Sequence, residues 1–166
     1  MKHVELLLIF AVTLFGQDHL PPRFEDFPAP TGWKGPPMAL GLRARSDAIF
    51  LHPLLESARQ APNFATHYRF TQWLCGSTCL SGAIVDLATG WVIDPPPVQS
   101  NSQPARFSLC QSGLTGSGVE VRPNSKLVIV RCGPNYNVRP RRSALDAYYF
   151  VFENQRFRKV AHLHRN

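Results

Sequence analysis

Four cysteines carry the most specific chemistry in this sequence: Cys75, Cys79, Cys110 and Cys132. Four thiols allow three pairings, and the spacing favours Cys75–Cys79 and Cys110–Cys132. Three residues separate the first pair, so a three-residue hairpin loop would place these cysteines on facing strands within bridging reach. The second pair would close a loop of about 23 residues, which would stabilise the fold by roughly 3 kcal/mol. We therefore predict two structural disulfides.

A thiol redox site is the alternative interpretation of Cys75 and Cys79, because the two residues flank a short loop. Redox sites usually place two residues between the cysteines and put the first at a helix N-terminus, which lowers its pKa. Here three residues separate the cysteines, and both flanking segments are predicted strands. A structural disulfide is therefore the preferred interpretation.

His162 and His164 are close in the sequence and would share one face if the last strand continues that far. Together with Cys75 and Cys79 they have the donor atoms that bind zinc. A Cys75–Cys79 disulfide in an oxidising compartment would remove both thiolates. We therefore predict no metal site and no cofactor, and we expect the two histidines to lie in a solvated C-terminal tail.

Local catalytic motifs are absent from the sequence: it contains no G-x-S-x-G, phosphate-binding loop, dinucleotide fingerprint or H-E-x-x-H. The alternative is a cell-envelope hydrolase with scattered residues, in which His67 and Arg69 share the polar face of a strand and Asp94 supplies a carboxylate. Asp86 is expected instead to cap a turn that ends at Gly90. The sequence favours a non-enzymatic function and assigns no catalytic residue.

Positive charge is concentrated in the last quarter of the chain. Residues 127–166 contain eight Lys and Arg against two Asp and Glu, a net charge of +6, and the whole chain carries +7. Such a segment attracts polyanions, and we expect it to bind an anionic envelope polymer or an acidic protein. A solvated face that only aids solubility is the alternative. The predicted binding residues are Arg139, Arg141, Arg142, Arg156, Arg158 and Lys159.

The N-terminus predicts export. Lys2 and His3 precede an apolar stretch from Val4 to Phe15, which has the size of a signal-peptide core and is too short to span a bilayer as a helix. Gly16 is the small residue expected before the cleavage site, and an ordinary N-terminal strand or helix is the alternative. We predict a signal peptide over residues 1–16 and a periplasmic or secreted protein that does not span the membrane.

The elements that must position these residues are mostly strands. Fifteen prolines and eleven glycines among 166 residues exclude a helical bundle, whereas 44% hydrophobic residues are enough for a folded core. Residues 17–45 are predicted to form a proline-rich linker or arm, and residues 46–166 a single β-rich domain. We predict a mainly β (α+β) fold, an antiparallel sheet of about six to seven strands with one short N-terminal helix that starts after His52.

Alternating or continuous apolar residues locate the strands. Residues 98–117 read as a polar loop that contains Cys110, and a hairpin turn over residues 153–155 joins the last two strands. The predicted strands are residues 64–74, 80–87, 91–93, 119–121, 126–132, 147–152 and 156–161.

Three short motifs lie within residues 58–97. They read Asn63-Phe64-Ala65-x-x-Tyr68, then Trp73-x-Cys75-Gly76-x-x-Cys79, then Val85-Asp86-x-x-Thr89-Gly90. This set resembles a group of small exported bacterial proteins whose pattern has glycine where this chain has Thr66 and Leu74. The resemblance implies export and a β-rich fold, and it carries over no catalytic residue.

Overall fold

The computed structural model describes residues 20–42, 45–77, 79–98, 107–110, 116–133 and 145–165. Their helices are two 3-10 helices, Phe24–Asp26 and Arg45–Phe50, and one α-helix, α1, over Leu51–Ala58. These ranges contain eight strands: β1 Tyr68–Gly76, β2 Cys79–Asp86, β3 Val92–Ile93, β4 Ser108–Cys110, β5 Gly118–Glu120, β6 Leu127–Cys132, β7 Leu145–Glu153 and β8 Arg156–Arg165.

The predicted mainly β fold with one short helix and two disulfides is confirmed. The described strands divide between two four-stranded antiparallel sheets, whereas the sequence suggested one. The first sheet contains β1 to β4, and the second contains β5 to β8 in sequential order. Two-residue connections join β1 to β2 and β7 to β8, and such short connections favour antiparallel pairing.

Strand β2 is the centre of the first sheet, as its apolar sequence predicted. It pairs with β1 along one side, while β3 and β4 pair with different parts of its other side. Every residue from Leu80 to Asp86 is buried, because both faces of this strand are covered.

The two sheets pack face to face, and the period-two alternation of each strand divides the core into layers. Ile84 of β2 and Phe150 of β7 belong to the cluster between the sheets. Helix α1 covers the outer face of the first sheet, where Leu54 packs with Val85. The outer face of the second sheet carries Val151 in a third cluster.

The proline-rich segment predicted as a linker or arm packs along the domain over its described residues. Phe24 is buried in the cluster on the outer face of the second sheet, and Trp33 packs against the cluster beneath α1. Pro28 forms a β-bridge with Ser125, and Gly41 forms one with Trp91. This segment therefore covers apolar surface of both sheets.

Both predicted disulfides are present: one lies within the first sheet, and the other joins the two sheets. Cys75–Cys79 joins the ends of β1 and β2 with a Cα–Cα distance of 5.0 Å, and Cys110–Cys132 joins β4 to β6 with a distance of 5.6 Å. Because β4 and β6 belong to different sheets, the second disulfide links the two halves of the core.

Three local predictions were wrong in detail. Phe64 lies outside the first strand, which begins at Tyr68, because the intervening loop has a left-handed backbone at Ala65 and Thr66. In the first hairpin Gly76, not Cys75, faces Cys79, because a bulge follows Leu74. A short strand, β4, interrupts the predicted polar loop over residues 98–117, since β2 offers it a pairing edge.

Candidate functional site

The structure places half of the predicted basic site. Arg156, Arg158 and Lys159 lie exposed on β8, whereas Arg139, Arg141 and Arg142 lie outside the described residues. Cross-strand partners share a face of a sheet, and Arg158 faces Val151 whereas Lys159 faces Phe150. Arg156 lies two residues before Arg158, so both arginines point to the outer face of the sheet. Lys159 points to the opposite face, where its Nζ lies 5.0 Å from the centre of the Tyr148 ring.

Phe157 points to the same face as Phe152, its partner across the strands, with the two rings 5.0 Å apart. The outward-pointing arginines have one acidic neighbour among the described residues of this strand pair, Glu153. Its carboxylate lies 3.7 Å from Arg158 and directly across from Arg156. Exposed ion pairs are weak, and both arginines are exposed. An anion can therefore reach both guanidinium groups.

Two adjoining concavities surround the turn between β7 and β8. The larger is an open groove of about 850 Å³ between loop 65–68 and turn 153–155, with Lys126 and Phe152 in its wall. The smaller, of about 520 Å³, is bordered by Arg156 and Arg158. Both are lined by Glu153 and Asn154, so they form one continuous surface, which we call the turn groove.

Left-handed backbone conformations are concentrated along the turn groove. Asn154 and Gln155 have φ values of +51° and +58°, as a two-residue hairpin turn requires. On the opposite wall Ala65 has φ +38° and the β-branched Thr66 has φ +80°, which costs free energy because of the Cβ atom. Backbone hydrogen bonds to Arg122, Pro123 and Ser125 hold this loop, so the groove wall has a fixed shape.

At position 66, glycine is expected to be more stable than alanine by about 1 kcal/mol, because glycine adopts a positive φ without a Cβ clash. Both variants lose the hydrogen bond that the Thr66 hydroxyl donates to the Pro30 carbonyl at 2.5 Å, so their difference isolates the backbone term. Urea unfolding of Thr66→Gly and Thr66→Ala measures it. An alanine variant as stable as the glycine variant would contradict the backbone interpretation.

Of the residues considered for a hydrolase, His67 contacts a carboxylate. His67 Nε2 lies 3.4 Å from Oδ1 of Asp86, and Asp86 is buried. Arg69 donates to the Ala61 carbonyl at 3.0 Å and contacts the Gln60 side chain, and burial lowers the pKa of its guanidinium. Asp86 also has the predicted turn role, accepting the Ala88 amide at 2.9 Å.

A different cluster, which the sequence did not reveal, lies at the far end of β7 and β8. Asp146 Oδ1 is 3.4 Å from His162 Nε2 and also contacts His164 Nδ1. Tyr148 stacks on His162, with ring centres 4.2 Å apart and an angle of 9° between the planes. Burial, then the charge of Asp146 and a hydrogen bond to it, raises the pKa of the Tyr148 phenol. We call Asp146, His162 and His164 the Asp-His-His cluster.

Comparison of the chain with protein-family models, curated proteins and solved structures finds no match. Among the helices of the described residues, none has the length and apolar character needed to cross a membrane. Two disulfides in so small a chain fit an oxidising environment. The function must therefore be argued from the turn groove and the Asp-His-His cluster themselves.

Proposed function

We propose that this chain is an exported, non-catalytic binding module, secreted or periplasmic, that contacts an anionic envelope polymer or an acidic protein through its basic C-terminal segment. The observation that carries the proposal is the turn groove. Lys126, Arg156 and Arg158 line its two parts, against the single carboxylate of Glu153 among the lining residues.

The charge distribution supports an anionic partner. Of the two acidic residues within 127–166, Asp146 contacts the two histidines and Glu153 contacts Arg158. The exposed charges of Arg156, Arg158 and Lys159 therefore act at longer range and steer anions toward the end of the β7–β8 hairpin. Because the field of exposed charges is screened by salt, the interaction should depend on ionic strength.

The scaffold around the groove suits recognition. The hairpin of β7 and β8 is held by the core on one face, with Phe150 and Phe152 buried between the sheets. The opposite wall is hydrogen-bonded to the segment that precedes β6. A rigid framework that presents an open concave surface binds a partner without a large ordering cost.

We expect the protein to be retained on heparin at low salt and the Arg156→Glu/Arg158→Glu variant to lose most of this retention. Each contact with a polyanion releases counterions, so removing two contacts should lower the slope of log K against log salt by about two. A salt gradient on the column, followed by titration of soluble heparin at several salt concentrations, measures both quantities.

The matched control is Lys34→Glu/Arg59→Glu, which makes the same change in net charge at exposed positions that do not line the groove. It should retain most of the binding. Equal losses in both double variants would mean that net charge alone attracts heparin, and an unretained wild-type protein would also overturn the proposal. Arg156→Gln/Arg158→Gln gives a second test should the charge reversal prevent folding.

A hydrolase centred on His67 is the second candidate, and the contact of His67 with the buried Asp86 beside the groove favours it. Among the described residues that line the groove, the two hydroxyl groups beside His67 are poorly suited to act as nucleophiles. The hydroxyl of Thr66 is donated to a backbone carbonyl, and burial together with the charge of Asp86 raises the pKa of the Tyr68 phenol. A raised pKa makes a phenol harder to activate, so a binding function is the better account of this groove.

A further inference from the structure

We propose that the Asp-His-His cluster is a binding site for a divalent transition-metal ion, with zinc as the ion that its donors suit best. This site is separate from the turn groove and does not depend on the function proposed for it. Among the described residues, the cluster brings one carboxylate oxygen and two imidazole nitrogens within 4.8 Å of one another.

One distance in the cluster is that expected between two ligands of a zinc ion. Zinc binds nitrogen and carboxylate oxygen at about 2.0–2.2 Å, which puts tetrahedral ligand atoms roughly 3.4 Å apart. The separation between Asp146 Oδ1 and His162 Nε2 is 3.4 Å. His164 Nδ1 contacts the same oxygen and would have to move away from it to bind an ion between them, and its side chain is 56% exposed.

The carboxylate is poorly satisfied without a cation. Oδ1 of Asp146 is buried, and its contacts with the imidazoles do not have the geometry of a directed hydrogen bond. A buried acceptor without a good donor costs free energy. A metal ion between the three side chains would remove that cost and would balance the negative charge.

A β-bulge brings the histidines to the carboxylate. From Glu153 to Phe150 the hairpin pairs in one register, and beyond a shift at Tyr149 it continues with one extra residue on β8. In an unshifted register Asp146 would face Leu163, and both histidines would point to the other side of the sheet. The bulge therefore re-aims this end of β8, as bulges beside functional sites do.

The surroundings of the cluster are those of a supported metal site. Tyr148 stacks on His162, so it orients one of the three ligands, as outer-shell partners of metal sites do. Asp146 also lies directly across from Cys132. The Cys110–Cys132 disulfide therefore anchors β6 beside Asp146.

Donor chemistry and ligand number define the ion. Imidazole and carboxylate together suit zinc and its neighbours in the transition series better than calcium or magnesium, which prefer sites made of oxygen. Three protein ligands leave one coordination position of a tetrahedral ion open, and the exposed side of His164 faces solvent. That position would accept water or an oxygen donor from a partner.

The test is zinc titration of the oxidised full chain without a polyhistidine tag. We expect one equivalent to bind and, at zinc concentrations of 100 times Kd, to raise the unfolding midpoint by about 5–10 °C. His162→Gln/His164→Gln and, separately, Asp146→Asn should weaken binding at least about 100-fold, since each removes a direct ligand. Calorimetry and thermal unfolding give independent readings of this loss.

The matched control is His52→Gln/Glu56→Gln, which removes an exposed imidazole–carboxylate pair on α1 and should keep the zinc affinity of the wild type. Circular dichroism in EDTA establishes that each variant is folded before zinc is added. A wild-type protein whose unfolding midpoint zinc does not move would overturn the proposal. So would equal affinity in the cluster and control variants, because the three side chains would then not be the ligands of the zinc ion.

Discussion

Replacing Cys110 and Cys132 by serine is expected to lower the free energy of unfolding by about 3 kcal/mol, within a range of about 2–4 kcal/mol. The disulfide spans 22 residues and joins two sheets, so its removal frees a long loop in the unfolded chain. Both cysteines are buried, and buried serine hydroxyls add to the loss. Urea unfolding followed by circular dichroism gives the difference.

Cys75→Ser/Cys79→Ser is the comparison for this prediction. Its loop spans four residues within one hairpin, and Cys75 is exposed, so we expect a loss of about 2 kcal/mol or less. The inter-sheet pair should therefore be the more damaging one to remove. Four reactive thiols in the purified native protein, or a larger loss from opening Cys75–Cys79, would contradict this assignment.

Gly90→Ala is expected to cost about 3–4 kcal/mol, because two separate costs add at this position. Gly90 has φ +77° and ends the turn begun by Asp86, to whose carbonyl it donates its amide at 2.7 Å. A Cβ atom built there would overlap the backbone oxygen of Ala39. The segment around Ala39 would have to move, and the hydrogen bond from Gly41 to the Gly90 carbonyl, 2.8 Å long, would be lost with it.

Gly32→Ala separates the two costs. Gly32 has a similar φ of +90°, but a Cβ atom there would meet nothing within 4 Å. Its cost should be the backbone term alone, about 1–2 kcal/mol. If thermal and urea unfolding gave the two variants equal stability, the close approach of residues 39–41 to the turn would not matter energetically.

Local patterns in the sequence predicted the elements that local physics determines. The apolar run over residues 80–87 became the buried strand β2, since a strand covered on both faces needs apolar residues throughout. The turn between Asp86 and Gly90 formed as expected, because an aspartate can bond its own backbone and glycine accepts a positive φ.

Local sequence patterns do not show which distant segments of the chain pair with each other. Strand β4 has three residues and exists because β2 offers it an edge, and nothing in residues 98–117 alone indicates that edge. The division into two sheets depends likewise on which strands pair across long stretches of chain. A period-two pattern shows which face of a strand is buried, but it does not name the neighbouring strand.

The Asp-His-His cluster was missed for a more specific reason. His162 and His164 were considered as ligands, but Asp146 is 16 and 18 residues away from them in the sequence. A regular hairpin through the turn at Asn154 and Gln155 would place the histidines on the opposite face from Asp146. One extra residue in β8 brings the histidines to the same face as Asp146. We found no sequence pattern that predicts this bulge.

The bulge in β8 also has a consequence for self-association. Within the described part of the chain β8 pairs on one side, with β7, and its other side is an edge of the second sheet. Unprotected edges recruit strands from other molecules and lead to aggregation, whereas a bulge and exposed charged side chains interrupt such pairing. Arg156, Arg158 and Lys159 lie on one half of this edge, and the bulge separates them from the half that carries the histidines. The irregularity that directs two histidines toward a carboxylate thus also makes the strand a poor template for fibril growth.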